Sequence, residues 1–252
     1  MSPPTTKLTL AARAVMDQTF PDLSVRNEWL DGASRNADSR SSSPRSPLDA
    51  ATIRRSLPPA PRLPVDALIE IVLDESASVR GGNDVVGLRH ELLHIALSHL
   101  VVRRNPGTWH VQISTFDITS PLDLTRTRLD KVGLRLVRQA LRSPSAGSCS
   151  ILGPSLHRAE LRLAQFWGPT LLVVLSDFEL FDPDPDDSLA KLSNATAAEA
   201  VAVSLNAEPP AALKDSRVRT VHVGSGDAPS SLAHVIIEAA QRCASQELKG
   251  LQ

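Results

Sequence analysis

Cysteine is almost absent from this 252-residue chain. The two present, Cys149 and Cys243, lie far apart with no C-x-x-C spacing, which argues against a zinc ribbon and a disulfide framework. Neither sign of charge dominates. With 27 Lys+Arg against 28 Asp+Glu the formal charge is −1, and a nucleic-acid binder would need a basic stripe. Long hydrophobic runs are missing too, since no apolar stretch approaches the ~20 residues that span a bilayer. The first residues, Met1 to Lys7, lack the charged and apolar blocks of a secretory signal, so the expectation is a soluble cytoplasmic protein. No glycine-rich phosphate loop follows the first apolar strand, which removes the dinucleotide-binding reading.

What the chain does contain is an alternation of short apolar runs and helical patterns. Residues 1–33 form an N-terminal segment in which Leu8, Ala11, Ala12, Val15 and Met16 fit one amphipathic helix, and Trp29-Leu30 could dock on a partner or on the main domain. Residues 34–63 are rich in Ser, Arg and Pro, a composition that buries too little apolar surface to offset its ordering entropy, and are expected to be a flexible linker. A domain of ordinary size then spans 64–245. In it, strands are predicted at 67–73, 109–116, 170–176 and 218–223, with an edge strand near 121–124. Helices are predicted at 84–103, 129–141, 156–166, 196–205 and 230–242. Such alternation implies an α/β fold, doubly wound, with a mostly parallel central sheet and helices on both faces.

Asp74-Glu75-Ser76-Ala77-Ser78 follows the first strand and sets one carboxylate and two hydroxyls in a D-x-S-x-S arrangement. The strand itself, Ala67 to Leu73, is apolar on both faces, as in the middle of a parallel sheet. Ligands of such sheets sit at the carboxyl ends of the strands, so the loop leaving this one is well placed for chemistry. Two further segments reach the same edge. One is the small-residue loop 146–150, containing Ser148; the other is Asp177, which ends the apolar strand 170–176 and repeats the geometry of Asp74. Hard oxygen donors of this kind suit magnesium.

With these residues, 64–241 resembles the von Willebrand factor A domain family, whose metal-ion-dependent adhesion site uses D-x-S-x-S, a later Thr and an Asp after a later strand. The resemblance implies a metal set of Asp74, Ser76, Ser78, Ser148 (in the place of the Thr) and Asp177. It implies Mg2+, with Mn2+ as the other candidate ion. The implied function is recognition of a protein partner that offers an Asp or Glu to the metal, without chemistry on a substrate. Intracellular bacterial members of the family are often associated with AAA+ ATPases of the MoxR type, which is the partner class implied. Ala77 and Phe178 stand where the family usually carries glycine, which narrows the conformations open to both loops.

One motif competes. His90-Glu91-Leu92-Leu93-His94 matches H-E-x-x-H, in which two His on one helix face hold zinc and the Glu acts as base, so the alternative is a zinc metallopeptidase. At 100° per residue, however, Val85, Leu88, Leu92, Ile95 and Ala96 form the apolar stripe, and His90 and His94 fall opposite it with Ser98, toward solvent. No third ligand is evident. Gly153-Pro154-Ser155-Leu156-His157 starts like a nucleophile elbow but has His157 where the second Gly belongs. Glu75 and Glu179 are expected to be rim charges, and Asp182, Asp184, Asp186 and Asp187 an acidic surface loop.

Overall fold

A computed structural model describes residues 49–76, 78–79, 86–101, 107–116, 123–142 and 150–250. The helix expected over 8–16, the Trp29-Leu30 pair, Cys149 and Ser148 lie outside the described residues. Residues 46–252 form one compact unit.

Its centre is a six-stranded sheet of β1 (Ala67–Leu73), β2 (Trp109–Thr115), β3 (Leu124–Arg128), β4 (Thr170–Ser176), β5 (Glu199–Leu205) and β6 (Arg219–Val223), in the order β3-β2-β1-β4-β5-β6. All neighbours pair in parallel except β2 and β3, so β3 is an antiparallel edge. β1 and β4 are buried along their whole length because each has strands on both sides and helices on both faces.

The apolar side chains divide by strand alternation into two layers. Ile69, Ile71 and Leu73 point to one face, together with Val173, Leu175, Val201 and Val203. That face packs against α1 (Ala50–Ser56), α2 (Arg89–His99), α3 (Lys131–Arg142) and α6 (Ser231–Gly250). Leu68, Val72, Leu172, Val174 and Ala202 point to the other, under α4 (Leu152–Ala164) and α5 (Pro185–Ser193). The result is a doubly wound α/β fold, as the alternation predicts. Close packing at the amino-terminal edge has a steric requirement: a Cβ on Gly107 would lie 1.9 Å from the Val65 carbonyl oxygen, and one on Gly168 would lie 2.1 Å from that of Asp66.

Several local expectations are corrected. Residues 199–205, within the predicted helix 196–205, form β5; Val201, Ala202, Val203, Ser204 and Leu205 are buried between β4 and β6, and two-sided burial overrides the helical preference of Ala. The described edge strand runs from Leu124 to Arg128, so it meets the expected 121–124 at Leu124, while 121 and 122 lie outside the described residues. Within the expected linker, Asp49 caps α1 by accepting from the amides of Ala51 and Thr52, and Ile53, Leu57 and Leu63 are buried in the core. These spaced apolar residues fasten this Pro-rich stretch to the domain despite its polar composition. In α4, Leu152, Leu156, Ala159 and Leu163 make the buried stripe, and Leu161 is half exposed.

Candidate functional site

β1 and β4 are neighbours and parallel, with Leu73 beside Leu175, so their carboxyl ends emerge together. The Asp74 amide donates to the Leu175 carbonyl at 2.8 Å, extending the ladder by one residue and fixing where Asp74 leaves the sheet. Asp74 and Asp177 thus arise from adjacent strands at one edge, both largely buried.

The Asp74 carboxylate is the hub. Its Oδ1 accepts from the Ser76 amide at 2.8 Å, and its Oδ2 accepts from the Ser176 hydroxyl at 2.6 Å. Ser150 Oγ lies 3.5 and 3.4 Å from the two oxygens. Ser76 Oγ and Ser78 Oγ are 2.9 Å apart, the first buried and the second exposed, so the hydroxyl pair runs from the interior to the surface. Burial pushes the Asp74 carboxyl above its ordinary value; bonds from Ser176 and Ser76 oppose this, and the charge of Asp177 adds to it.

The loops around this hub are tied to each other. Phe181 donates its amide to the Ser150 carbonyl at 2.9 Å. Asp182 accepts the amides of Leu152 and Gly153, at 2.8 and 2.7 Å, and the Ser188 hydroxyl at 2.7 Å. Asp182 is therefore the buried cap of α4, satisfying amides that the first turn leaves without partners. Asp184 caps α5, with Pro185 at its start, and accepts from the Asp187 amide. The stretch expected to be an acidic surface loop is in part a pair of helix caps. Ser155 adds another tie, donating to the Thr115 carbonyl at 2.7 Å and joining α4 to the end of β2.

Of the expected metal set, Asp74, Ser76, Ser78 and Asp177 gather at this edge, and Ser148 lies outside the described residues. Ser150, from the same expected loop, is the hydroxyl seen beside Asp74. The resemblance assigned the role in that loop to Ser148, whereas the described hydroxyl near Asp74 is that of Ser150. Phe178 adopts a φ of 60°, the left-handed conformation that the missing glycine would have taken without strain. Its amide donates to Ser176 Oγ, so the turn after Asp177 and the hydroxyl on Asp74 are linked.

Glu75 is no rim charge. It is buried and pairs with Arg89 at 3.2 Å and with His90. That corrects the view of the H-E-x-x-H helix as well. His90 is only partly exposed and is engaged by Glu75, while His94 is partly buried and has an interaction of its own. α2 is enclosed by the sheet, α1, α3 and α6, so Leu93 and Leu97 join Leu92, Ile95 and Ala96 in the core and little of the helix is open.

Among the described residues, no three His, Cys, Asp or Glu side chains group closely enough to hold a metal by themselves. A cation at the strand edge would rely on hydroxyls and water beside the two carboxylates. Two carboxylates and the hydroxyls of Ser76, Ser78 and Ser150, with no sulfur or imidazole, make a donor set chemically suited to a hard divalent ion.

No family model matches the sequence, and no curated protein matches it significantly. Solved structures do. A von Willebrand factor type A protein from Catenulispora acidiphila aligns over 71% of this chain and 43% of its own, at 13% identity and a TM-score of 0.51. Proximal thread matrix protein 1 from the mussel byssus aligns over 72% and 50%, at 14% identity and a TM-score of 0.51. The pilus adhesin SpaC from Lactobacillus rhamnosus GG, in its open conformation, aligns over 74% and 31%, at 9% identity and a TM-score of 0.50. The chain thus spans half or less of the length of each of these proteins. No helix of the described residues is long and apolar enough to cross a membrane. At such low identity the likeness speaks for architecture alone, and the architecture is that of the von Willebrand factor A fold.

Proposed function

We propose that this chain is a protein-recognition module in which Mg2+, or Mn2+, held by Asp74, Ser76, Ser78, Ser148 and Asp177 takes an Asp or Glu of a partner protein. The observation that carries the reading is the meeting of Asp74 and Asp177 at the carboxyl ends of adjacent strands, with the Ser76, Ser78 and Ser150 hydroxyls beside them. Two largely buried carboxylates at one edge cost desolvation and repel each other, and a divalent cation offsets both. When bound, the ion supplies positive charge that an incoming carboxylate can complete. The residues' own part is to hold oxygens ready: Ser176 and the Ser76 amide orient Asp74, and the caps on α4 and the turn at Phe178 keep the flanking loops close. The fold is one on which protein-binding modules are built, and a AAA+ ATPase of the MoxR type is the partner class we put forward.

Calorimetry with Mg2+, Mn2+ and Zn2+ on the wild type, Asp74→Ala, Ser78→Ala and His90→Ala tests the proposal. The expected result is Mg2+ or Mn2+ binding that survives in His90→Ala, weakens in Ser78→Ala and disappears in Asp74→Ala. Ser78 is exposed, so that substitution leaves the fold intact and isolates the hydroxyl. Absence of Mg2+ and Mn2+ binding by the wild type, or stoichiometric zinc lost only in His90→Ala, would overturn the reading.

A further inference from the structure

Arg89 opens α2 and is 2% exposed, a rare setting for a guanidinium. Its Nη1 donates to the Val79 carbonyl at 2.6 Å and to the Val86 carbonyl at 3.2 Å. Its Nη2 lies 3.5 Å from the Asp74 carbonyl and donates to Glu75 Oε2 at 3.2 Å. One planar group therefore grips the start of the D-x-S-x-S loop at Asp74, its second residue through the side chain, and its end at Val79. The buried charge is compensated by Glu75, itself 5% exposed, whose other oxygen is engaged by His90. A planar fork with five N–H donors spans several acceptors in this way, and the compact ammonium of lysine does not.

We infer that Arg89 is a positioning residue for the 74–79 loop, holding it in the shape that brings the oxygens of Asp74, Ser76 and Ser78 together. The inference deepens the metal-mediated reading and rests on it for its functional meaning. The loop's oxygen-bearing side chains bond among themselves and to Ser176 and Ser150, while Arg89 takes the backbone at both ends. The division of labour resembles that of outer-shell groups around metal ligands, whose removal costs affinity without removing a ligand. It also gives the first residue of the H-E-x-x-H motif, and the arginine before it, a use unrelated to zinc: Arg89 grips the loop, and His90 steadies the Glu75 that pairs with it.

The test uses the full chain with Arg89→Lys and the double variant Glu75→Gln/Arg89→Met, which removes both buried charges together and so avoids stranding one. Two readouts are taken: Mg2+ affinity by calorimetry, and amide exchange at Ser76, whose N–H donates to Asp74, against amides of β4 as a measure of the whole fold. With β4 protection retained, the expected result is a loss of Mg2+ affinity of at least roughly tenfold and a comparable acceleration at Ser76. Arg89→Lys, which keeps the charge and loses the fork, is expected to fall short of the wild type in both; if the double variant does not fold, the lysine variant decides. Unchanged Mg2+ affinity or unchanged Ser76 exchange in a folded variant overturns the inference. Should the wild type bind no Mg2+ at all, the metal reading fails, and Ser76 exchange alone then supports or overturns the role of Arg89.

Discussion

Glu70 sits in the middle of β1 with no exposure, on the face covered by α4. Arg162 donates to its Oε1 at 2.6 Å and Ser114 at 3.2 Å, while Oε2 has no hydrogen-bond partner. Burial pushes the carboxyl from 4.5 up to about 7, against the guanidinium and the two bonds, which pull it down. Burial wins because Arg162 is still 24% exposed and shares its charge with solvent, whereas the carboxyl is wholly enclosed. Below pH 4.5 both folded and unfolded chains carry the proton, and Glu70 makes no difference. Between 4.5 and about 7 the unfolded chain has released the proton and the folded one keeps it, so stability falls as pH rises and the loss levels off above the folded value. At roughly 1.4 kcal/mol for each tenfold change in proton affinity, the loss reaches ~3 kcal/mol. Glu70→Gln keeps an oxygen acceptor for Arg162 and Ser114 and cannot ionise. In urea unfolding of both proteins from pH 4.5 to 8, the variant is expected to gain ~3 kcal/mol on the wild type across the range. A difference independent of pH would refute the reasoning, because it would mean that the ion pair with Arg162 outweighs desolvation and that Glu70 is charged throughout.

Asp182→Ala strands two helix-start amides and a buried hydroxyl, and is expected to lower stability by about 2–3 kcal/mol in chemical denaturation. Asp182→Asn, which keeps one acceptor oxygen, should lose less. At position 178 the ordinary preference between alanine and glycine should invert: both substitutions remove the same partly buried ring, but only glycine takes the φ of 60° without strain. Thermal melting should therefore rank Phe178→Gly above Phe178→Ala by about 1 kcal/mol, and equal stabilities would contradict the strain argument.

Much of the candidate site was legible in the chain because the signals that mark it are local. An unbroken apolar run ending in Asp announces a central parallel strand and its carboxyl end, and Asp74 and Asp177 each carry that mark. The alternation of elements points to a largely parallel sheet but does not fix that these two strands are neighbours, which the strand order supplies. Glu75 and Asp182 were misjudged for a common reason: an isolated acidic residue in a loop looks solvated until its partners are known. Those partners, Arg89 and His90 for the one and the Leu152 and Gly153 amides at the start of α4 for the other, lie 14, 15, 30 and 29 residues away.

The sequence by itself determined the fold class, the strands that carry the two carboxylates, and the spacing that puts Ser76 and Ser78 beside Asp74, since each depends on periodicity or on neighbours a few residues apart. Only the tertiary structure decided that the alanine-rich stretch 199–205 is a strand, that residues 50–63 join the core, that Ser150 meets Asp74, and that a buried arginine grips the loop. Those outcomes depend on burial and on bonds closed across 10 to 76 residues of chain, and local sequence carries no record of either.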